Sequence, residues 1–500
     1  MMPRDSGGSE PLVIRRTWPG WAATAILVGL GAARMAVAAP MGFDDARHLL
    51  VRTGFAAREE QVRTIAGLSR QAAVDRILAT RVTEAATPPP RWADDPIVPP
   101  REIKAMSEEA RKAFQRERVQ EALELRAWWL REMLVTPSPI SERMTLFWHG
   151  HFATSQQKVK ANQLMYRQNL LLRRHALGNF AVLLHAIARD PAMVVYLDSA
   201  SNRKGEPNEN FAREVMELFT LSEGHYTEND IKEAARAFTG WSLARETFGF
   251  RFRPMLHDDG DKTVLGRSGR FDGDQVLDIL LAQPATAEFI TAKLWKEFIS
   301  PTPDEREVKR LAKLFRDSGY ELTPLLSALL ASDAFFAPAN RGALVKSPVE
   351  LLVGTLRQFD AEPGDLRAIA VVSAALGQNL FSPPNVKGWP GYTAWINSQT
   401  LLGRRQFLDR LFRDEQPMLP AAAAISGEQA GRAGRMLERA ECMLAPLHVD
   451  ADRWLANLDA EPDSLARLLL PLPPAVPPDP SLRGKALLAA LVLDPAYQLK

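Results

Sequence analysis

Two histidines separated by one glycine are the residues of this chain best suited to bind a metal ion. His149 and His151 could not share one face of a helix, but Gly150 would end a helix at this point. In a turning backbone both imidazoles could then converge on one divalent cation, the predicted cofactor. The carboxylates that could complete this metal site are those of Glu209, Glu214 and Asp258. The alternative is structural: His149 closes a helix C-terminus and His151 hydrogen-bonds in the core.

A second histidine lies beside an aspartate in the acidic turn 257–263. A carboxylate beside an imidazole fixes the tautomer of the ring and raises its basicity. We therefore consider His257 as a further metal ligand and Asp258 as a general base. The alternative is a solvated turn built from Asp and Gly residues.

Charged side chains are concentrated in the segment 207–219, whose apolar residues recur at helical spacing. Arg213 and Glu217 stand four residues apart and are predicted to pair along the helix. Glu214 and Glu217 lie three apart on one face, and Glu214 is the candidate catalytic base. A buried salt-bridge network that includes Arg213 and Arg236 is the structural alternative.

Aromatic residues on the segment 385–397 form a candidate binding surface for a glycan. Trp389, Tyr392 and Trp395 lie among Gly and Pro residues, with Asn397 directly behind them. Aromatic rings exposed on a rigid loop could stack on sugar rings. The alternative is that these rings fill the core where the loop crosses the helices.

The N-terminus has the layout of a signal peptide. Arg15 and Arg16 precede an apolar run at 21–33, and small residues at 36–38 resemble a cleavage site. Because the run has about 13 residues, it is too short to cross a ~30 Å hydrocarbon core as a helix. We therefore expect residues 1–38 to be removed, leaving a periplasmic or secreted protein without a stable transmembrane span. The paired arginines favour the twin-arginine route, and general secretion is the alternative.

Charge and cysteine content exclude several classes of partner and site. Removing 4 basic and 2 acidic residues with the signal peptide leaves 58 of 62 basic and 58 of 60 acidic residues. A near-neutral chain does not call for nucleic acid or an anionic membrane as a partner. Cys442 is the sole cysteine, so an internal disulfide and a thiolate zinc cluster are excluded.

Hydrophobic periodicity predicts a mainly α protein: a large multi-helix single domain with a small β-hairpin insertion near residues 246–272. A helix is expected near 427–445 in the tail. The predicted parts after the signal peptide are an N-terminal helical segment (43–85), a proline-rich linker (86–100), the main helical core (101–414) and a C-terminal helical tail (415–500) with a proline-rich break (471–480).

Several segments in this order resemble the bacterial DUF1800 family, a domain of unknown function. The segments that carry the resemblance are 142–152, 207–221, 233–241, 257–258, 346–348, 385–391 and 395–397. It extends from about residue 44 to the C-terminus. The resemblance implies an exported, mainly helical protein without an established activity. It also implies a partner from a second exported family, DUF1501, which looks like a sulfatase or phosphatase relative.

Two functional hypotheses follow. The first is a binding or assembly partner of another exported protein, DUF1501-like, or of a glycan. The second is a metal-dependent hydrolase of the cell envelope that uses the histidine and carboxylate residues described above. We favour the first, because no complete catalytic constellation is visible in the sequence.

Overall fold

The computed structural model describes residues 39–413 and 447–500. The predicted signal peptide (1–38) and the predicted helix near 427–445 lie outside the described residues. The described residues form a mainly helical protein, as predicted.

The chain begins with five helices whose starts follow local sequence signals. The side chains of Ser69 and Ser107 each accept a hydrogen bond from the backbone N–H three residues later, so each serves as an N-cap. These helices are α1 (Gly42–Thr53), α2 (Glu59–Ala66), α3 (Arg70–Ala79), α4 (Pro100–Ala105) and α5 (Glu108–Val135).

The next group of helices carries most of the predicted site residues. These elements are α6 (Pro139–His151), α7 (Gln156–Val159), α8 (Asn162–His175), α9 (Phe180–Ala188), α10 (Pro191–Tyr196), a 3-10 turn (Ser199–Ser201), α11 (Asn210–Glu214), a π-helix (Val215–Thr220) and α12 (Glu228–Ala237). Thr227 and Asp230 form a reciprocal capping box, which explains why α12 begins at residue 228.

The β insertion consists of two antiparallel hairpins instead of one. Strands β1 (Trp241–Leu243) and β2 (Phe250–Phe252) form the first, and β3 (Lys262–Val264) and β4 (Arg267–Gly269) form the second. The first hairpin starts at Trp241, before the predicted boundary, and Phe248, with a positive φ of 54°, belongs to the connection between its strands. A two-residue turn with positive φ at both positions joins β3 to β4, the conformation that suits a tight hairpin.

Helices resume after the hairpins and continue to the C-terminus. They are α13 (Gly273–Leu281), α14 (Pro284–Phe298), α15 (Glu305–Asp317), α16 (Leu322–Leu330), α17 (Asp333–Phe336), α18 (Pro348–Gln358), α19 (Leu366–Ala375), α20 (Ser398–Leu411), α21 (Ala451–Leu455), α22 (Pro462–Leu469) and α23 (Gly484–Leu493). Short 3-10 turns occur at Pro254–Leu256, Pro338–Asn340, Tyr392–Trp395 and Pro495–Gln498.

Two clusters of buried apolar side chains form the core, and α6 contributes to both. Trp148 of α6 packs in the first cluster with Phe298 of α14. Leu146, from the other side of α6, packs in the second cluster with Trp129 of α5 and Leu352 of α18. Consequently the helix that carries the two predicted metal-ligand histidines lies between two packed layers.

The proline-rich segment 86–100 packs against the second cluster. Trp92 and Ala93 are buried in that cluster, and the backbone N–H groups of Ala86 and Thr87 donate to the buried carboxylate of Glu132. Such contacts hold this segment against α5, so it does not extend freely into solvent.

The described helices differ in length and in apolar character. The longest, α5, has 28 residues but is rich in Glu and Arg. Within residues 39–413 and 447–500, no helix combines the length and apolar character needed to cross a membrane.

Candidate functional site

The histidine pair lies within a continuous helix, so the prediction that Gly150 ends the helix is wrong. Helix α6 runs to His151, and the backbone N–H of Phe152 still donates to the carbonyl of Trp148 at 2.8 Å. Gly150 instead lies beside the loop, where a Cβ would make an ordinary contact at 3.7 Å with the ring of Trp389. Residues two apart on a helix point to different sides, so the imidazoles of His149 and His151 diverge.

His149 is a buried, neutral residue of the second core cluster. Its Nε2 accepts a hydrogen bond from the backbone N–H of Phe381 at 3.2 Å, and its ring contacts Trp129 and Trp389. Burial lowers the pKa of His149 to about 3. The structural alternative had His149 close the helix C-terminus, whereas its hydrogen bond is to a distant loop.

His151 points to the opposite side, where α14 and the π-helix meet. Its Nε2 lies 3.2 Å from the carbonyl oxygen of Phe219, and its Nδ1 lies 2.9 Å from Nζ of Lys293. Burial lowers the pKa of His151 well below the ordinary value, and the charge of Lys293 lowers it further. A neutral ring that donates from Nε2 to the carbonyl therefore accepts from Lys293 through Nδ1.

The segment after α11 winds as a π-helix, which the sequence analysis did not foresee. The predicted single helix across 207–219 divides into α11 and this π-helix. Its wider winding leaves backbone carbonyls available to side chains: Leu218 accepts from Nζ of Lys293 at 3.4 Å, and Phe219 contacts His151. Short π-helices are frequent at functional sites. No spacing of residue types in this segment distinguishes a π-helix from an α-helix.

The predicted pair between Arg213 and Glu217 is absent from the contacts of Arg213, and that prediction is wrong. The guanidinium of Arg213 contacts both carboxylate oxygens of Glu228, each at 2.8 Å. It also contacts one carboxylate oxygen of Glu209 at 3.2 Å. Helix α12 brings Glu228 to Arg213, so a tertiary partner replaces the expected partner on the same helix. Glu209 is thereby placed in a partly exposed ion pair, away from the histidines.

Glu214 and Glu217 lie near each other beside the loop that follows residue 385. Glu217 accepts a hydrogen bond from the hydroxyl of Tyr226 at 3.1 Å and lies 3.6 Å from Nζ of Lys387. Burial raises the pKa of Glu214, and the charge of Glu217 raises it further. The sequence analysis was right to group these two carboxylates, and the structure adds Lys387 as the neighbouring cation.

Arg236 belongs to a separate cluster with the predicted base Asp258. Nε of Arg236 donates to Asp258 at 2.8 Å, and its NH1 donates to Glu233 at 2.9 Å. The hydrogen bond from Arg236 lowers the pKa of Asp258 to about 2, so this carboxylate is a poor proton acceptor at neutral pH. His257 contacts the carbonyl of Thr239 through Nδ1 at 3.0 Å.

The geometry does not support a metal centre built from the predicted ligands. In the described part of the chain, no group of three or more His, Cys, Asp or Glu residues lies close enough to hold a metal ion. His149 and His151 diverge from α6, while His257 and Asp258 belong to the Arg236 cluster. The structure therefore does not bring together the donors that the hydrolase hypothesis requires.

A cavity of about 350 Å³ lies against α6, α14 and the loop 385–397. Its volume is at the lower end of the range of about 300–1,000 Å³ that is typical of small-molecule sites. Its aromatic and cationic lining residues are Phe147, Phe289, Trp389, Tyr392, Trp395, Arg143, Lys293, Lys296, Lys387 and Lys500. Among the predicted site residues, His151 and the three aromatic residues of the loop line this cavity.

Two carboxylates at the base of the cavity neutralise two of its cations. Glu350 forms ion pairs with Arg143 and Lys500, and Glu297 also pairs with Arg143. Burial opposes ionisation of Glu350, but Arg143 and Lys500 outweigh it and lower its pKa. Arg143 lies within the segment 142–152 and Glu350 follows the segment 346–348, but neither was predicted as a site residue, because their contact joins two helices that are distant in the chain.

The remaining cations of the cavity wall are less fully neutralised. Lys293 and Lys296 lie one turn apart on α14, and neither forms an ion pair with any residue in the ranges that the structure describes. Lys387 lies at 3.6 Å from Glu217, which is long for a direct ion pair. The cavity therefore carries an excess of positive charge.

The aromatic residues of the loop are packed into the cavity wall and are not displayed on the surface. Trp395 is buried, while Trp389 and Tyr392 are half-buried. The indole N–H of Trp389 is buried and has no hydrogen-bond partner among the described residues. Asn397 has a local role, because its side chain accepts from the backbone N–H of Thr400 and caps α20.

Comparison with known proteins identifies the family of this chain. The comparisons with curated proteins and with solved structures find no match. A family model described as "Protein of unknown function (DUF1800)" matches residues 48–499, which is nearly the whole chain. The match includes α6, α14 and the loop 385–397, and Lys500 of the cavity wall lies one residue beyond it. The chain therefore belongs to the DUF1800 family.

Proposed function

We propose that this protein is an exported binding protein of the cell envelope and that its cavity holds an acidic sugar unit of a glycan. The observation that supports this proposal most directly is the pair Lys293 and Lys296, which line an aromatic cavity without a carboxylate partner in the described chain. The other features of the wall fit the same class of ligand.

The charge of the wall favours an anionic ligand. Arg143 and Lys500 already contact Glu350, so their charges are largely satisfied within the protein. Partly buried ammonium groups that lack a counter-ion cost free energy, and a ligand carboxylate would reduce that cost through charge-assisted hydrogen bonds. Lys296 and Lys387 can approach such a carboxylate from two sides of the cavity.

The aromatic residues favour a sugar ring over a small inorganic anion. Phe147, Phe289 and Trp389 present ring surfaces in the cavity, and Tyr392 adds a phenol. Ring surfaces suit the apolar face of a pyranose, whereas hydroxyl groups need hydrogen-bond partners. The unpaired indole N–H of Trp389 is one donor that a ligand hydroxyl could satisfy after a small movement of the loop.

The expected location of the protein agrees with such a ligand. The signal-peptide layout of residues 1–38 predicts export, and acidic polysaccharides occur outside the cytoplasm. Under this proposal the protein binds its ligand in the envelope and needs no catalytic metal.

Calorimetric titration with galacturonic acid oligomers and with uncharged glucose oligomers of equal length tests the proposal. We expect the acidic oligomer alone to bind, and added salt to weaken the binding. Lys296→Ala should weaken it by about 5–30-fold, which corresponds to about 1–2 kcal/mol. Lys313→Ala is the matched control, because Lys313 is exposed on α15 and pairs with Asp317.

Equal binding of both oligomers would contradict the role of the cations. Absence of binding by the acidic oligomer to folded protein, or an equal effect of Lys296→Ala and Lys313→Ala, would reject the cavity as its site. Circular dichroism of each variant confirms that the comparison is made between folded proteins.

A further inference from the structure

Lys293 lies in an environment unlike that of an ordinary surface lysine. Its side chain lines the cavity, and Nζ lies 2.9 Å from Nδ1 of His151 and 4.7 Å from the centre of the Phe289 ring. The nearest cation on the same helix is Lys296, one turn away. In the described residues no carboxylate pairs with Lys293 to stabilise its charged form.

Two physical effects favour the neutral amine of Lys293. Burial lowers its pKa to about 8, and the adjacent charge of Lys296 acts in the same direction. Removal from water and a neighbouring cation are the two means by which proteins convert a lysine into a nucleophile near neutral pH. Most of Lys293 therefore stays protonated near pH 7, and a minority is present as the neutral amine that can act as a nucleophile.

The contacts of Lys293 also hold its nitrogen in place. His151 is neutral, and its Nδ1 accepts a hydrogen from Nζ, while the carbonyl of Leu218 is 3.4 Å from the same nitrogen. These contacts connect Nζ to α6 and to the π-helix, and the cavity lies along its remaining side.

We propose that Lys293 forms an imine with an aldehyde or ketone that carries an acidic group. The unprotonated Nζ attacks the carbonyl carbon to form a C–N bond, and the carbonyl oxygen takes up a proton to give a carbinolamine. That hydroxyl then leaves as water with a second proton from nitrogen, and a C=N bond remains. The reaction needs no oxidant, and addition of water reverses it.

Neighbouring residues favour a carbonyl compound with an acidic group. Lys296 and Lys387 line the same cavity and could bind a carboxylate or phosphate while the carbonyl meets Lys293. Arg143 is less available because Glu350 and Glu297 already contact it. This inference goes beyond glycan binding and does not depend on it.

Reductive trapping tests the inference with pyridoxal 5′-phosphate as an acidic aldehyde probe. The whole protein is incubated with the probe at pH 7.5, reduced with borohydride, digested and mapped by mass spectrometry. We expect the adduct on Lys293 to form more than tenfold faster than on Lys296. Lys293→Arg, which keeps the charge, should abolish this fast adduct, and Lys296→Arg should retain it.

The trapping experiment tests separately the reactivity of Lys293 and the requirement for an acidic group. Adducts spread over exposed lysines such as Lys309 and Lys313, with Lys293 unmodified in folded protein, would overturn it. Equal rates at Lys293 with pyridoxal, which lacks the phosphate, would overturn the requirement for an acidic group. Failure of acidic oligosaccharides to bind would leave the expected adduct unchanged, so the two proposals fail independently.

Discussion

Nδ1 of His151 lies 2.9 Å from Nζ of Lys293, although 142 residues separate the two in the chain. This contact joins α6 to α14, and both residues also contact carbonyl oxygens of the π-helix. Three elements therefore meet at one neutral imidazole on the cavity wall. The same imidazole that the sequence suggests as a metal ligand is instead a hydrogen-bond partner of a lysine.

Replacing this imidazole should destabilise the protein. We expect His151→Leu to lower the free energy of unfolding by about 2 kcal/mol, because Lys293 and the carbonyl of Phe219 each lose a buried partner. Urea denaturation measures the change. The control is His225→Leu, since His225 is exposed and its replacement should stay within about 0.5 kcal/mol. Equal effects of both substitutions would contradict the proposed contact network.

Buried histidines should make the protein sensitive to acid. The pKa is lowered to about 2 in His48, to about 3 in His149 and well below 6.5 in His151, in each case mainly by burial. The unfolded chain takes up these protons below about pH 6.5, whereas the folded chain does not. The stability that these histidines contribute is therefore present above about pH 6.5 and is lost as the pH falls below that value.

Asp190 opposes this effect, because burial raises its pKa to about 7 and the folded state keeps one proton that the unfolded state releases. On unfolding, the three histidines take up three protons and Asp190 releases one, a net uptake of about two. The free energy of unfolding therefore changes by about 2.7 kcal/mol per pH unit. We expect a loss of about 3 kcal/mol between pH 7 and pH 5 in urea denaturation. His149→Gln should reduce the slope, and equal stability at both pH values would contradict the predicted excess of the histidine effect over that of Asp190.

The contact between α6 and the cavity loop should not tolerate a side chain at Gly388. A Cβ at this position would lie 2.2 Å from the carbonyl oxygen of Gly150, and the residue has a φ of +82°. We expect Gly388→Ala to cost about 2–4 kcal/mol through backbone strain and displacement of the loop.

Gly391→Ala provides the matched control. Gly391 has a φ of +71°, but a Cβ there would meet nothing within 4 Å. Its replacement should cost about 1–3 kcal/mol, the conformational part of the effect, because a φ of +71° with a ψ of −178° is a combination that almost only glycine adopts. Thermal denaturation of both variants measures the difference. If Gly388→Ala were no worse than Gly391→Ala, the close approach of the loop to α6 would be refuted.

The buried carboxylate at the base of the cavity should be essential for stability. Glu350→Gln keeps an acceptor for the backbone N–H of Ser347 but leaves Arg143 and Lys500 without their closest negative charge. We expect a cost of about 3–5 kcal/mol, the usual effect of breaking a buried ion pair.

Glu297→Gln tests the role of burial in the same cluster. Glu297 also contacts Arg143, but its side chain is 29% exposed compared with 6% for Glu350. Solvent can partly replace its charge, so the cost should be about 1 kcal/mol. Guanidinium denaturation should rank the two variants in this order. The reverse order would indicate that Glu297 is the main counter-ion of Arg143.

Much of the secondary structure was predictable from local signals. The N-cap residues Ser69, Ser107 and Thr227 each mark the start of a helix, because the side-chain oxygen that satisfies an open N–H is only two or three residues away. The same locality explains why a mainly helical domain with a β insertion near residue 250 could be predicted correctly. Local signals do not predict the second hairpin or the π-helix, because the conformation of these segments depends on packing.

The sequence by itself determined the family, the helical class and the residues from which a site could be built, because these depend on composition, short motifs and neighbours along the chain. Only the tertiary structure decided what those residues do. Helix α6 continues through Gly150, so the two histidines point to different sides, and a loop more than 200 residues away packs beside that glycine. Lys293 has no distinctive neighbours in sequence, and its altered chemistry arises from burial beside His151 and Lys296. Burial and long-range contact are properties of the folded chain, which is why the cavity could not be predicted.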